Sequence, residues 1–206
     1  MSPEERARRK QFVQQFGWGG FGDEDVDLSL SPDPQNSTQL SPQQLGTLRN
    51  DIQKLLEGRK DCADFVNALL NNVAAATQRP LYSTDPLKVF DAVAGQRGFF
   101  LAPGQGASGY AWGSIRGGDA KITLDVSFGG FSFVRGLVGL HEVIHEASGA
   151  KNQLYSDRDL AVAAYQVAIA QGYKDVPKPP GPNDVLLSSQ YYNDRLFKAC
   201  SPNQRK

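Results

Sequence analysis

The sequence predicts an α+β domain, and three observations carry that expectation. Apolar residues keep a helical spacing through residues 41–73 and again from residue 134 onward, the period between them switches to strict alternation, and Gly or Pro punctuates each change. The expected arrangement is a helical N-terminal half, a small antiparallel sheet with one hairpin, and a helix carrying both histidines of the chain packed beneath that sheet.

Residues 1–40 differ from the rest. A short charged helix candidate precedes FGWGGFGDEDVD and then SLSPDPQNSTQLSP, whose Ser, Pro, Asn and Gln bury too little apolar surface to order a chain, so a flexible tail or linker is expected. Residues 41–206 are expected to form a single domain, because 206 residues suffice for one proper core and leave little for a second. Ser41-Pro42 reads as an N-cap with proline in the first turn, and Leu45, Leu48, Ile52, Leu55 and Leu56 hold helical spacing up to Gly58. A second helix is expected to be capped by Asp61, with Asp64 three residues on, and to run through Phe65, Val66, Leu69, Leu70 and Val73, antiparallel to the first. Asp85-Pro86 starts a third helix that ends near Gly95.

The alternation follows. Tyr110 to Arg116 and Lys121 to Phe128 flank Gly117-Gly118, and Ile122, Leu124, Val126 and Phe128 alternate with polar residues, which predicts a β-hairpin with one buried face. Helical spacing resumes at Val134, with Leu137, Leu140, Ile144 and Ala147 in one stripe that stops at Gly149. Another helix is expected from Ser156 to Gln171, closed by Gly172, and a Pro-rich stretch then leads to a last short helix around Tyr191 to Cys200.

Charge and composition narrow the function. Lys plus Arg and Asp plus Glu balance at 22 each, so no net field draws the chain to nucleic acid or anionic lipid. No run approaches the roughly 18 apolar residues of a membrane span, and the charged N-terminus has no apolar core of a signal peptide. No membrane or nucleic-acid partner is therefore expected, and the compartment stays open, with an extracellular one fitting a piece of a larger secreted polypeptide. Cys62 and Cys200 could close a loop of well over 100 residues, adding roughly 4 kcal/mol through the unfolded state, or could remain two buried thiols.

Both histidines of the chain fall in His141-Glu142-Val143-Ile144-His145. Positions i and i+4 share one face of a helix, so both imidazoles can address a single ion, while Glu142 is turned about 100° away and can address a water on that ion. Such a water, with its pKa lowered by zinc and a carboxylate beside it, is what hydrolysis requires. The plainer alternative is an amphipathic helix with two half-exposed histidines and a solvated glutamate.

The stretch Gly139-Leu140-His141-Glu142-Val143-Ile144-His145-Glu146 resembles the active-site helix of the zincin metallopeptidases, and a hairpin strand followed by this helix is similar to their order; the likeness covers roughly residues 110–171. It implies that His141 and His145 bind zinc, that Glu142 is the general base, and that the strand Lys121 to Phe128 borders a cleft where an extended substrate adds along its edge. A third ligand is then needed. No further histidine exists and residues 147–206 hold no Glu, so Asp157, Asp159, Asp175, Asp184 and Asp194 are the downstream candidates. Asp157 is favoured, with Asp159 as runner-up or as a partner that orients a histidine ring. Ser156 and Asp159 also read as a variant of the capping box, which needs no metal. The overall layout also resembles, more faintly, domains found C-terminal to Rhs-type repeats.

Other side chains offer chemistry. Tyr155, Tyr165, Tyr191, Tyr192 and Arg195 could stabilise an oxyanion, Tyr155 being singled out for its place beside Asp157. Cys62 in Asp61-Cys62-Ala63-Asp64 resembles a little the nucleophile helix of NlpC/P60 peptidases, with a histidine as base. GQGASGYAWG lacks the Gly-Lys-Ser/Thr ending of a phosphate loop and reads better as a turn or cleft lining. The expectation is a monomeric zinc metallopeptidase acting on a peptide or protein substrate, the alternatives being a non-catalytic metal-binding or toxin-like domain and a Cys62-dependent peptidase.

Overall fold

The computed structural model describes residues 37–101, 113–116, 121–124, 128–129, 131–149, 154–181 and 184–201. Among them lie six helices and four strands. Residues 1–36 of the tail expected at 1–40, the hairpin turn at Gly117-Gly118, the outer parts of both hairpin strands and the Gly-rich run before Gly113 lie outside the described residues, whereas 37–40 are described as part of the domain.

Ser41 caps helix α1 (Pro42–Glu57) in a full capping box with Gln44, and Asp85 caps α3 (Pro86–Gly95) by accepting from the Leu87 N–H, both with proline in the first turn. Helix α2 (Lys60–Thr77) starts earlier than Asp61. Arg59 is its extended N-cap, without a side-chain cap bond, and Asp61 sits inside the first turn, where the helix dipole favours its charge. Asp64 pairs with Lys60 at 2.5 Å instead of closing a cap.

The antiparallel hairpin forms as expected between β3 (Gly113–Arg116) and β4 (Lys121–Leu124). The sheet continues beyond it through two strands the periodicity did not reveal, β2 (Phe99–Leu101) and β1 (Thr38–Gln39), in the order β1-β2-β4-β3. β2 runs parallel to β4 and antiparallel to β1, so the sheet is mixed, and the domain's described structure begins ahead of Ser41 with Leu40 already buried. One implication of the zincin resemblance is corrected here. β4 is paired on both sides, so it offers no free edge to a substrate; the outer strands among the described residues are β1 and β3.

Beneath the sheet lies α4 (Ser132–Glu146), buried continuously from Arg135 to Glu146. α1 crosses it so closely that a Cβ on Gly136 would sit 2.9 Å from the Asp51 carbonyl, an approach open only to glycine. Beside that contact Arg135 donates from Nε to Asp51 Oδ2 at 2.7 Å and from Nη1 to the Phe128 carbonyl at 3.2 Å, so the charge taken into the core is paired. α5 (Asp157–Ala170) and α6 (Val185–Cys200) pack on each other and on α2. The last helix is longer than its apolar pattern suggests: Asp184 caps it by accepting from the Leu187 N–H, directly behind the prolines that mask its start.

Cys200, at the end of α6, is bonded to Cys62 in the first turn of α2, across a sequence separation of 138. That removes the reading of Cys62 as a nucleophile, since it has no thiol to offer. Replacing both cysteines by alanine should lower stability by about 2 to 5 kcal/mol, read as a smaller unfolding free energy in urea with a steeper slope, because the unlinked chain exposes more surface when unfolded. A variant as stable as the parent would show that the cross-link does not restrain the unfolded chain.

Candidate metal centre

α4 presents His141 and His145 on one face, one turn apart, with ring centroids 4.8 Å apart. Their Nε2 atoms are 3.0 Å from each other. Opposite them, the first residue of α5 supplies a carboxylate: Asp157 Oδ1 lies 3.6 Å from His141 Nε2 and 3.5 Å from His145 Nε2. Three side chains from two helices thus aim one donor atom each at a common point, a group that could hold a metal ion. Glu142 Oε1 is 3.6 Å from His141 Nε2, at the margin of the same point. The alternative of a half-exposed amphipathic helix is not what folds, because His141, Glu142 and His145 are all buried.

The two aspartates at the start of α5 divide their work. Asp159 closes the capping box with Ser156, each backbone N–H reaching the other's side chain at 3.2 Å, and also accepts from Arg79 at 3.0 Å. It is therefore the cap, while Asp157 turns toward the histidines. Nor does Asp159 orient a ring. Nδ1 of His145 donates to the Tyr155 carbonyl at 2.5 Å, and the Tyr155 N–H returns a bond to the His145 carbonyl at 3.2 Å. This exchange orients the ring so that Nε2 is the nitrogen that faces Asp157 and His141.

Titration follows from that packing. Burial, reinforced by its partner ring, pushes His141 down to about 3 against the pull of Asp157 and Asn193. Burial also acts on His145 but is outweighed by the Asp157 carboxylate 3.5 Å away, by the charge of Glu142 and by the Tyr155 carbonyl, which together lift it to about 9. The ring pair consequently keeps one proton, held on the His145 side. Burial would raise Asp157, yet its contacts with His145, His141 and Ser189 hold it below the usual carboxylate range. Glu146, next to His145 but buried with one oxygen lacking a hydrogen-bond partner, is pushed up to about 7 by burial, against the charge of His145.

Of the groups that sequence offered for oxyanion stabilisation, Tyr155 is corrected. Its hydroxyl donates to the Pro80 carbonyl at 2.8 Å, so its phenol serves the fold and its backbone serves His145. Tyr191 likewise donates to the Pro177 carbonyl at 2.7 Å, and Arg195 lies 3.4 Å from Asp194. Tyr192, given no priority by sequence, is the one that meets the site. Its ring stacks on His141 at 4.7 Å and meets His145 edge-on at 6.1 Å, and its buried hydroxyl has no hydrogen-bond partner among the described residues. Burial raises its pKa well above that of free tyrosine, and the charges of Asp157 and Glu142 add to the rise. No spacing linked Tyr192 to the motif in sequence; only the return of α6 onto α4 does so.

Against known proteins, the chain matches no protein-family model, no curated protein and no solved structure.

A metal entering between the rings must displace the proton that His145 retains up to about pH 9. Affinity should therefore rise with pH, about tenfold per unit between pH 6 and 8 for one proton displaced. Competition against a chromogenic chelator across that range measures the slope; a flat profile would mean that no ring proton is exchanged.

Proposed function

We propose that the centre binds zinc and hydrolyses a peptide bond, on the strength of one observation: His141, His145 and Asp157 converge on a point that Glu142 borders. Ligand atoms set tetrahedrally about 2.0 to 2.1 Å from zinc lie about 3.3 to 3.4 Å apart. The separations here, 3.0, 3.5 and 3.6 Å, bracket that spacing and support zinc's two-imidazole, one-carboxylate ligation. Asp157 Oδ1 and His141 Nδ1 are buried without hydrogen-bond partners among the described residues, and a cation beside the carboxylate would satisfy the first of these.

Each residue then has a role. His141, His145 and Asp157 would hold the ion, which supplies a polarised water when bound. Glu142 accepts a proton at its carboxylate and passes it to the leaving amine. The Tyr155 carbonyl keeps the His145 ring in register, and the Tyr192 hydroxyl, without a partner among the described residues, would donate to a substrate oxygen that gains charge. An extended peptide, if it adds to the sheet, would add to β3, the outer strand beside α4.

The depth of the centre favours a second reading. Glu142 is only 3% exposed and both histidines 7%, as suits a metal that stabilises a binding or toxin-like domain without turnover. The two readings part on Glu142.

Elemental analysis should find one zinc per wild-type chain and none in His145→Ala or Asp157→Ala; zinc kept by both variants would reject the ligand set. Glu142→Gln should keep the zinc and lose about 10²- to 10⁴-fold in cleavage of a fluorescence-quenched peptide mixture. Cleavage unchanged by Glu142→Gln would discard the assigned base, and a wild type that binds zinc without cleaving would favour the non-catalytic reading.

A further inference from the structure

Asp157 and the histidines belong to different helices, and besides the direct exchange between His145 and Tyr155 a third segment holds the two together. The connection between α2 and α3 does this. α2 ends at Gln78 in the left-handed conformation, and the next residues reach both metal-facing helices in turn. On the α5 side, Arg79 Nη1 donates to the Leu154 carbonyl at 2.6 Å and to Asp159 Oδ2 at 3.0 Å, while the Pro80 carbonyl accepts from the Tyr155 hydroxyl at 2.8 Å. On the α4 side, the Tyr82 N–H donates to the Ala147 carbonyl at 2.8 Å. Gly149 follows with φ of 63°, and a Cβ there would come within 2.6 Å of the Tyr82 Cβ, so α4 ends pressed against this segment.

We propose that Arg79 is a positioning residue of the metal centre: with Pro80 and Tyr82 it clamps the end of α4 to the start of α5 at the separation that brings His145 and Asp157 to one ion. The inference rests on the metal reading above and adds a contributor that lies outside the motif. Arg79 acts through residues it holds. Leu154 and Asp159 flank Tyr155 and Asp157, the former giving His145 its carbonyl and the latter facing it, so a shift of this segment moves an orienting group and a ligand together. Both bonds leave the single nitrogen Nη1 in directions that the planar guanidinium fixes, whereas a lysine ammonium is a shorter-reaching, freely rotating donor.

The test is zinc affinity of the folded chain, by chelator competition well below the unfolding transition, with the cobalt(II) absorption spectrum as a readout of ligand geometry. Arg79→Met should keep the helical circular dichroism, weaken zinc binding about 10- to 100-fold and alter the cobalt bands. Arg79→Lys should fall between it and wild type. Should Arg79→Met fail to fold, Tyr155→Phe, which removes only the hydroxyl on the Pro80 carbonyl, takes its place with an expected loss of about threefold to tenfold. A folded variant with wild-type affinity and cobalt spectrum overturns the clamp and leaves the metal reading standing, whatever stability it has lost. A wild-type chain that takes up no zinc overturns both.

Discussion

α4 is buried from Arg135 to Glu146, yet that stretch contains an arginine, two histidines and two glutamates. Polar groups carried this deep must find partners or cost roughly 1 to 3 kcal/mol each, and more when charged. Much of the surrounding architecture answers that demand. α1 brings Asp51 to Arg135, the approach to α5 brings the Tyr155 carbonyl to His145, and α5 itself brings Asp157 to both rings. Among the described residues the buried side-chain atoms left without a hydrogen-bond partner are His141 Nδ1, Asp157 Oδ1, the Tyr192 hydroxyl, a Glu146 oxygen and Arg195 Nε, and three of these five residues, His141, Asp157 and Tyr192, meet at the imidazoles. A native core spreads few such atoms through its volume, so their concentration around two imidazoles marks chemistry that packing alone does not explain.

The helices were legible where local rules decide them. Ser41-Pro42, Asp85-Pro86 and Ser156 start helices because each side chain caps a backbone a few residues away, within reach of sequence inspection. His141, Glu142 and His145 were legible for the same reason, being on one helix at a spacing geometry fixes. Asp157 was the favoured third ligand, but sequence alone could not separate it from Asp159, and the division between ligand position and cap emerged only when α5 was docked against α4.

The remainder is information held between segments. β1 and β2 have two and three residues, too few to show a period, and β2 pairs in parallel with a strand some twenty residues on. Because β2 occupies the far side of β4, the strand expected to border a cleft became an interior one. The role of Tyr192, the partner of Cys62 and the reach of Arg79 across to Leu154 all depend on chain segments that meet only after folding.

The bond between Cys62 and Cys200 gives this centre a history as well as a shape. It cannot close until Cys200 has left the ribosome, and by then every residue of α1 through α5 has been made. Both rings and Asp157 precede α6 in the chain, but Tyr192 rides on α6, so the histidines acquire their aromatic cover only once that helix, which the cross-link ties to α2, has been made. Chain order therefore decides when the rings can be covered, and a chain made only as far as α5 has His141 and His145 without Tyr192.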